Sequence, residues 1–145
     1  MDILVINGPN LNLLGSREPQ TYGNSKLSDI NLELSKFAKS YNVNISFFQS
    51  NHEGEIVDRI QQTEAKFIII NPAAYTHTSV AIRDAFLATK TPFIEIHLSN
   101  IYNREEFRTK SFLSDIAHGC IFGFGSRGYT LALIEAIHYI NTKGD

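Results

Sequence analysis

Two pairs of side chains in this sequence have the types and spacing for acid–base chemistry. Arg17 stands five residues before Tyr22, and Glu95 stands two residues before His97. A phenol has a pKa of about 10 and is a poor base at neutral pH. A guanidinium beside it stabilises the phenolate and makes it a usable general base. The alternative is an exposed loop in which arginine and tyrosine only stack. Residues i and i+2 of a strand share one face, so Glu95 and His97 project together. A carboxylate there fixes the imidazole tautomer and raises its pKa, which suits a general acid. The competing reading is a structural histidine satisfied by hydrogen bonds. Burying a carboxylate at a strand end is costly, which argues for a purpose.

Two further segments could hold a ligand. In Asn71-Pro72-Ala73-Ala74-Tyr75-Thr76-His77-Thr78-Ser79, His77 precedes an expected helix start. Helix N-termini favour anions, and polar side chains there can grip hydroxyl or carboxylate groups. The plainer reading is a capping loop with an incidental histidine. In Arg104-Glu105-Glu106-Phe107-Arg108, an arginine could clamp a carboxylate in bidentate fashion, or the run is the solvated face of a short helix. Three signals are discounted. Gly123-Phe124-Gly125-Ser126-Arg127-Gly128 fits G-x-G-x-x-G, yet no strand follows it and no acidic residue lies about 20 positions on. It reads as a tight turn into the last helix. His52, Glu53, His77 and His97 lack any metal-binding spacing, so no metal is expected. Cys120 lies in an apolar run and reads as inert packing. His118 and His138 have no partner visible in the sequence.

The elements that must position these residues alternate. Strand-like apolar runs recur at Ile3–Ile6, Val43–Phe48, Phe67–Ile70, Phe93–Ile96 and Cys120–Phe124. Helical spacing links Leu27, Ile30, Leu34, Phe37, Ala38 and Tyr41, and then Ile56, Val57 and Ile60. A third helix is marked by Val80, Ala81, Ala85 and Ala88 after Thr78 or Ser79 as N-cap. The last is marked by Leu131, Ile134, Ile137 and Ile140 and ends at Gly144. Strictly alternating strands and helices predict an α/β fold with a parallel sheet covered on both faces. Continuous apolar strands fit that double cover. A flavodoxin-like, five-stranded layout is expected, and ligands of such sheets bind beyond the carboxyl ends of the strands. Those ends read Asn7–Asn10, Gln49–His52, Asn71, Glu95–Asn100 and Gly123–Ser126. The loop from Asn7 to Gly23 is longer than the usual 2–6 residues and has the make-up of a closing lid.

The bulk numbers narrow the classes. With 145 residues and 43% hydrophobic content, residues 1–145 suit one domain with a single core. No apolar run approaches the roughly 20 residues that cross a bilayer, and no export signal opens the chain. One cysteine excludes an internal disulfide and fits a reducing, cytoplasmic setting. A net charge of -2 without a basic stripe argues against nucleic acid. An anionic substrate would need local arginines.

Taken together, these residues resemble type II 3-dehydroquinate dehydratase (type II dehydroquinase). The similarity covers nearly the whole chain. It runs through Ile6-Asn7-Gly8-Pro9-Asn10-Leu11-Asn12, Arg17-Glu18-Pro19, Tyr22-Gly23, Phe48-Gln49-Ser50-Asn51 and Glu53-Gly54. It continues through Thr76-His77-Thr78-Ser79, Arg83-Asp84-Ala85, Glu95-Ile96-His97-Leu98-Ser99-Asn100, Arg104-Glu105-Glu106-Phe107-Arg108, Gly123-Phe124-Gly125 and Gly128-Tyr129. The resemblance implies anti dehydration of 3-dehydroquinate to 3-dehydroshikimate through an enolate. By that likeness Tyr22 takes the C2 proton with Arg17 lowering its pKa. His97 protonates the departing C1 hydroxyl, oriented by Glu95, and Asn10 helps stabilise the enolate oxygen. Asn71, His77, Asp84, the Leu98-Ser99 backbone and Arg108 hold the substrate. The family also implies a homododecamer built from trimers and no cofactor. Ala73 stands where glycine is common in the family, Tyr102 where histidine is, and Asp115 where proline is.

The residues alone point the same way. Removing a proton alpha to a ketone needs a tuned base and oxyanion stabilisation, and a hydroxide leaving group needs an acid. Two rivals are a regulatory flavodoxin-like module and a family member acting on another small hydroxy-acid. A phosphoacceptor would want acidic residues after the first strand and at the end of the third, where Asn7 and Asn71 stand. A flavin carrier would want a Ser/Thr-rich loop after the first strand, where amides and leucines stand.

Overall fold

The computed structural model describes residues 2–16 and 24–143. Five strands pair in parallel: β1 (Ile3–Asn7), β2 (Ile45–Gln49), β3 (Phe67–Asn71), β4 (Phe93–His97) and β5 (Gly119–Phe122). Their order is β2-β1-β3-β4-β5, the flavodoxin-like order expected from the alternation. Four α-helices lie among the described residues: α1 (Leu27–Ser40), α2 (Glu53–Gln62), α3 (Val80–Thr89) and α4 (Arg127–Lys143).

Strand side chains alternate faces, and that alternation sorts the core into two layers. Ile3, Val5, Phe67, Ile69, Ile94 and Ile96 pack with α1 and α4. Leu4, Ile6, Ile68, Ile70 and Phe93 pack with Ile56, Ile60, Ile82 and Phe86 of α2 and α3. The same parity assigns the polar ends of the strands. Asn7 and Asn71 fall on the α1/α4 face, whereas Glu95 and His97 follow Phe93 onto the α2/α3 face.

Several local expectations need correction. Val43 and Asn44 precede β2, because Asn42 at φ 56° turns the chain into it. Gly123 and Phe124 lie past β5, where Gly123 at φ 93° ends the extended run. The outer strands β2 and β5 are half-buried, since an edge strand lacks a neighbour and full helix cover. Leu131 and Ile134 are exposed. The stripe of α4 that meets the sheet is Tyr129, Ala132, Leu133, Ala136 and Ile137, whose small alanines let the helix lie close. On α3 the buried residues are Ile82, Ala85 and Phe86, leaving Val80, Ala81 and Ala88 outside. Ser79 is the N-cap there, its hydroxyl accepting the Ile82 N–H. Cys120 is exposed on the edge strand β5, not packed within the core. His118 does have a partner: its Nε2 lies 2.9 Å from Glu135 Oε2, with the ring against Phe67 and Tyr139.

Candidate active site

A cavity of ≈ 240 Å³ opens at the carboxyl edge of β1, β3 and β4. Its walls include Asn10, Asn71, His77, His97, Leu98, Ser99 and Arg108, seven of the residues expected to serve a ligand. Pro9, Leu11, Leu14, Ala73, Ala74, Ile101 and Arg104 complete the lining. Glu95 sits beneath His97 and is fully buried. Arg17 and Tyr22 lie outside the described residues. Asp84 stands on the exposed side of α3 and is not among the lining residues.

The acid–base pair forms as the strand period requires. Glu95 Oε2 is 2.6 Å from His97 Nε2. A carboxylate accepts, so Nε2–H donates and Nδ1 remains for a ligand. Burial pushes the Glu95 carboxyl up. Hydrogen bonds from His97, Ser114 and Thr76 and the His97 charge outweigh that and hold it below the ordinary carboxylate range.

His77 closes the adjoining wall, its ring stacked 6.3 Å from that of His97. Its Nδ1 lies 2.7 Å from the Lys110 carbonyl, which can only accept. Burial lowers the His77 pKa, and the charges of His97 and Arg108 lower it further. A neutral ring donating from Nδ1 presents Nε2 as an acceptor, the match for a hydroxyl. Arg108 is fixed by Glu105, which accepts from its Nε at 2.9 Å. Arg104, also on the wall, reaches Ser99 Oγ at 3.5 Å and Glu105 at 3.8 Å.

The opposite wall hangs from a buried polar chain. The Tyr129 hydroxyl donates to Asn7 Oδ1 at 2.5 Å and accepts from Asn71 Nδ2 at 3.1 Å. Tyr129 is fully buried, and burial drives its phenol far above the ordinary value. Asn71 Oδ1 in turn accepts the Ala73 N–H. Ala73 holds φ 52°, the left-handed region that glycine tolerates best. That is the physical meaning of alanine at this departure from the family pattern. Asp115, the third departure, pairs with Arg83 at 2.6 Å and ties α3 to the 109–118 loop. On the β1 side, Gln49 Nε2 donates to Gly8 O and to Asn51 Oδ1, which also accepts the Asn10 N–H. Asn10 turns at φ 68°, which asparagine tolerates.

Sequence reasoning missed Arg104 as a wall residue and missed the hydroxyls around Glu95. Arg104 was visible in the charged run but indistinguishable there from solvent-facing neighbours. Thr76, Ser111 and Ser114 carry no spacing signal, since they converge from two separate loops.

The model of the class II dehydroquinase family matches residues 1–137. The 3-dehydroquinate dehydratase of Francisella tularensis subsp. novicida (strain U112) is 78% identical over 145 residues, 100% of each chain. The crystal structure of type II dehydroquinase from Butyrivibrio crossotus DSM 2876 matches with a TM-score of 0.91 and 45% identity. That match covers 94% of this chain and 97% of the other. Type II dehydroquinase from Propionibacterium acnes matches with a TM-score of 0.89 and 39% identity, covering 94% and 96%. The chain belongs to the class II dehydroquinase family and is an enzyme of that type.

Proposed function

We propose that this chain dehydrates 3-dehydroquinate to 3-dehydroshikimate by anti elimination through an enolate, within the shikimate pathway. The observation that carries the reading is the buried Glu95–His97 bond of 2.6 Å opening into a cavity that also holds Arg108. His97 delivers its proton to the departing C1 hydroxyl while Glu95 holds the ring and balances the imidazolium charge. Tyr22 removes the C2 proton, with Arg17 favouring the phenolate. Asn10, on the cavity wall, helps stabilise the enolate oxygen through a water. Arg108 takes the substrate carboxylate, and Asn71, His77 and the Leu98-Ser99 backbone take hydroxyls.

The reaction is a proton transfer at each end of one bond, so no cofactor or metal enters the scheme. Asp84 faces away from its own cavity, so its part in substrate binding is played from a neighbouring copy. That fits trimers assembled into a dodecamer. With 3-dehydroquinate and a chelator present, the conjugated enone should appear in the ultraviolet. No enone at any substrate concentration would end the reading.

A further inference from the structure

We propose that Thr76, Ser111 and Ser114 form a cage of three hydroxyls that positions Glu95 and, through it, the acid His97. The inference rests on the assignment of His97 as the acid. None of the three lines the cavity, so each acts as a positioning residue.

Counting donors and lone pairs fixes the direction of every bond in the cage. Ser111 Oγ accepts the N–H groups of Leu113 at 2.9 Å and Ser114 at 3.1 Å. A hydroxyl has two acceptor sites, so both are filled and Ser111 has only its proton left to give. It lies 3.0 Å and 3.1 Å from the two Glu95 oxygens and 2.8 Å from Thr76 Oγ1. Thr76 cannot then donate to Ser111, and its proton goes to Glu95 Oε2 at 2.5 Å. Ser114 donates to Oε1 at 2.5 Å. With His97 Nε2–H on Oε2, both oxygens of Glu95 are occupied as acceptors. The cage therefore matches the ionised carboxylate. A neutral carboxyl would have to turn one of these donors around.

Apart from His97, the remaining surroundings of Glu95 do little to supply that charge balance. The titratable groups that face it, among the described residues, are His97 on its own strand, His77 from the 73–77 turn and Cys120 beside it on β5. Both neighbours of Glu95 in the sheet register, Ile70 and Cys120, are poor side-chain hydrogen-bond donors. The loop from 109 to 118 thus has a purpose beyond covering the sheet edge. It carries Ser111 and Ser114, and His77 anchors it by donating from Nδ1 to the Lys110 carbonyl.

The variants Thr76→Val, Ser111→Ala and Ser114→Ala remove one donor each, and Thr76→Ser keeps it. Elimination and exchange of the C2 hydrogen with solvent are measured side by side on the intact enzyme. A hydrogen bond to a charged group has a strength corresponding to a rate change of about 10- to 100-fold. Enone formation should fall by about that factor in Thr76→Val and Ser114→Ala, with KM near wild type. C2 exchange should persist, because the proton-abstracting half is untouched, so the ratio of exchange to elimination rises. The Glu95 carboxyl, followed by carbon NMR, should titrate about one pH unit higher. Thr76→Ser should restore all three readouts. Ser111→Ala also loses two backbone bonds and could unfold its loop, so the decisive variants are those at the other two positions. Wild-type turnover and an unchanged ratio in both Thr76→Val and Ser114→Ala would overturn the cage while leaving His97 as the acid. Full elimination by His97→Ala would overturn the acid assignment and the cage together.

Discussion

At the residue scale, the site depends on which groups hold charge and which do not. Glu95 is held ionised by donated hydrogen bonds, and His77 is held neutral by burial and nearby positive charge. In the proposed mechanism the two carry opposite duties: one balances an imidazolium, the other accepts from a hydroxyl. The proposed base, Tyr22, lies outside the described residues. Tyr22→Phe should keep the ring in place and remove the proton acceptor. Turnover is expected to fall on the order of 10²–10⁴ with little change in substrate binding. Near-normal turnover in a steady-state assay would exclude Tyr22 as the base. The pair at Glu95 and His97 was legible from the sequence, since strand periodicity alone puts i and i+2 on one face. The hydroxyl cage was not, because Thr76 and Ser111 meet across 35 positions of chain. Tyr129 and Asn71 meet across 58, and local pattern carries no such information.

At the element scale, the carboxyl ends of three parallel strands bring the candidate site residues to one rim. Gly8 shows how tightly the rim is built. A Cβ there would meet the Pro72 carbonyl oxygen at 2.5 Å and its carbon at 2.8 Å, both backbone atoms that cannot move aside. Gly8→Ala should therefore destabilise by more than about 1 kcal/mol and displace the loop carrying Asn10. Chemical denaturation checks this, and an unchanged midpoint would contradict it. Strand positions and the sheet's parallel class followed from the alternation of apolar runs. Helix faces were read less well. On α4 the large Leu131 and Ile134 look like core, yet the buried stripe runs through Tyr129, Ala132, Leu133, Ala136 and Ile137. Residue size alone does not mark the buried face: Ala132 and Ala136 are buried while Leu131 and Ile134 are exposed.

At the scale of the whole molecule, two groups tie stability to pH with the same sign. Glu95 titrates below its unfolded value of 4.5, so its contribution is complete above that pH and is lost as pH falls through the folded value. His77 titrates below 6.5, so the unfolded chain takes up its proton first and stability also drops as pH falls from there. Thermal unfolding should show falling stability from about pH 6.5 downward, and His77→Gln should flatten the upper part of that slope. A flat profile from about pH 7 to about pH 4 would contradict both assignments. The proposed assembly would be needed to bring Asp84 to a site, since it is exposed on α3 and does not line the cavity of its own chain. Asp84→Asn should raise KM more than it lowers kcat. Mixing this variant with His97→Ala subunits should recover some sites whose cavity and Asp84 come from different copies. No recovery on mixing would contradict a site that draws Asp84 from a neighbouring copy. No described helix is long and apolar enough to cross a membrane.

In the proposed mechanism two separate groups handle the two protons of one elimination, and removing the acid should split the reaction in half. C2 hydrogen exchange and enone formation are followed together in one deuterated sample of His97→Ala. Exchange should continue while enone formation falls on the order of 10²–10⁴. Equal loss of both would show that the two proton transfers are not divided between separate groups.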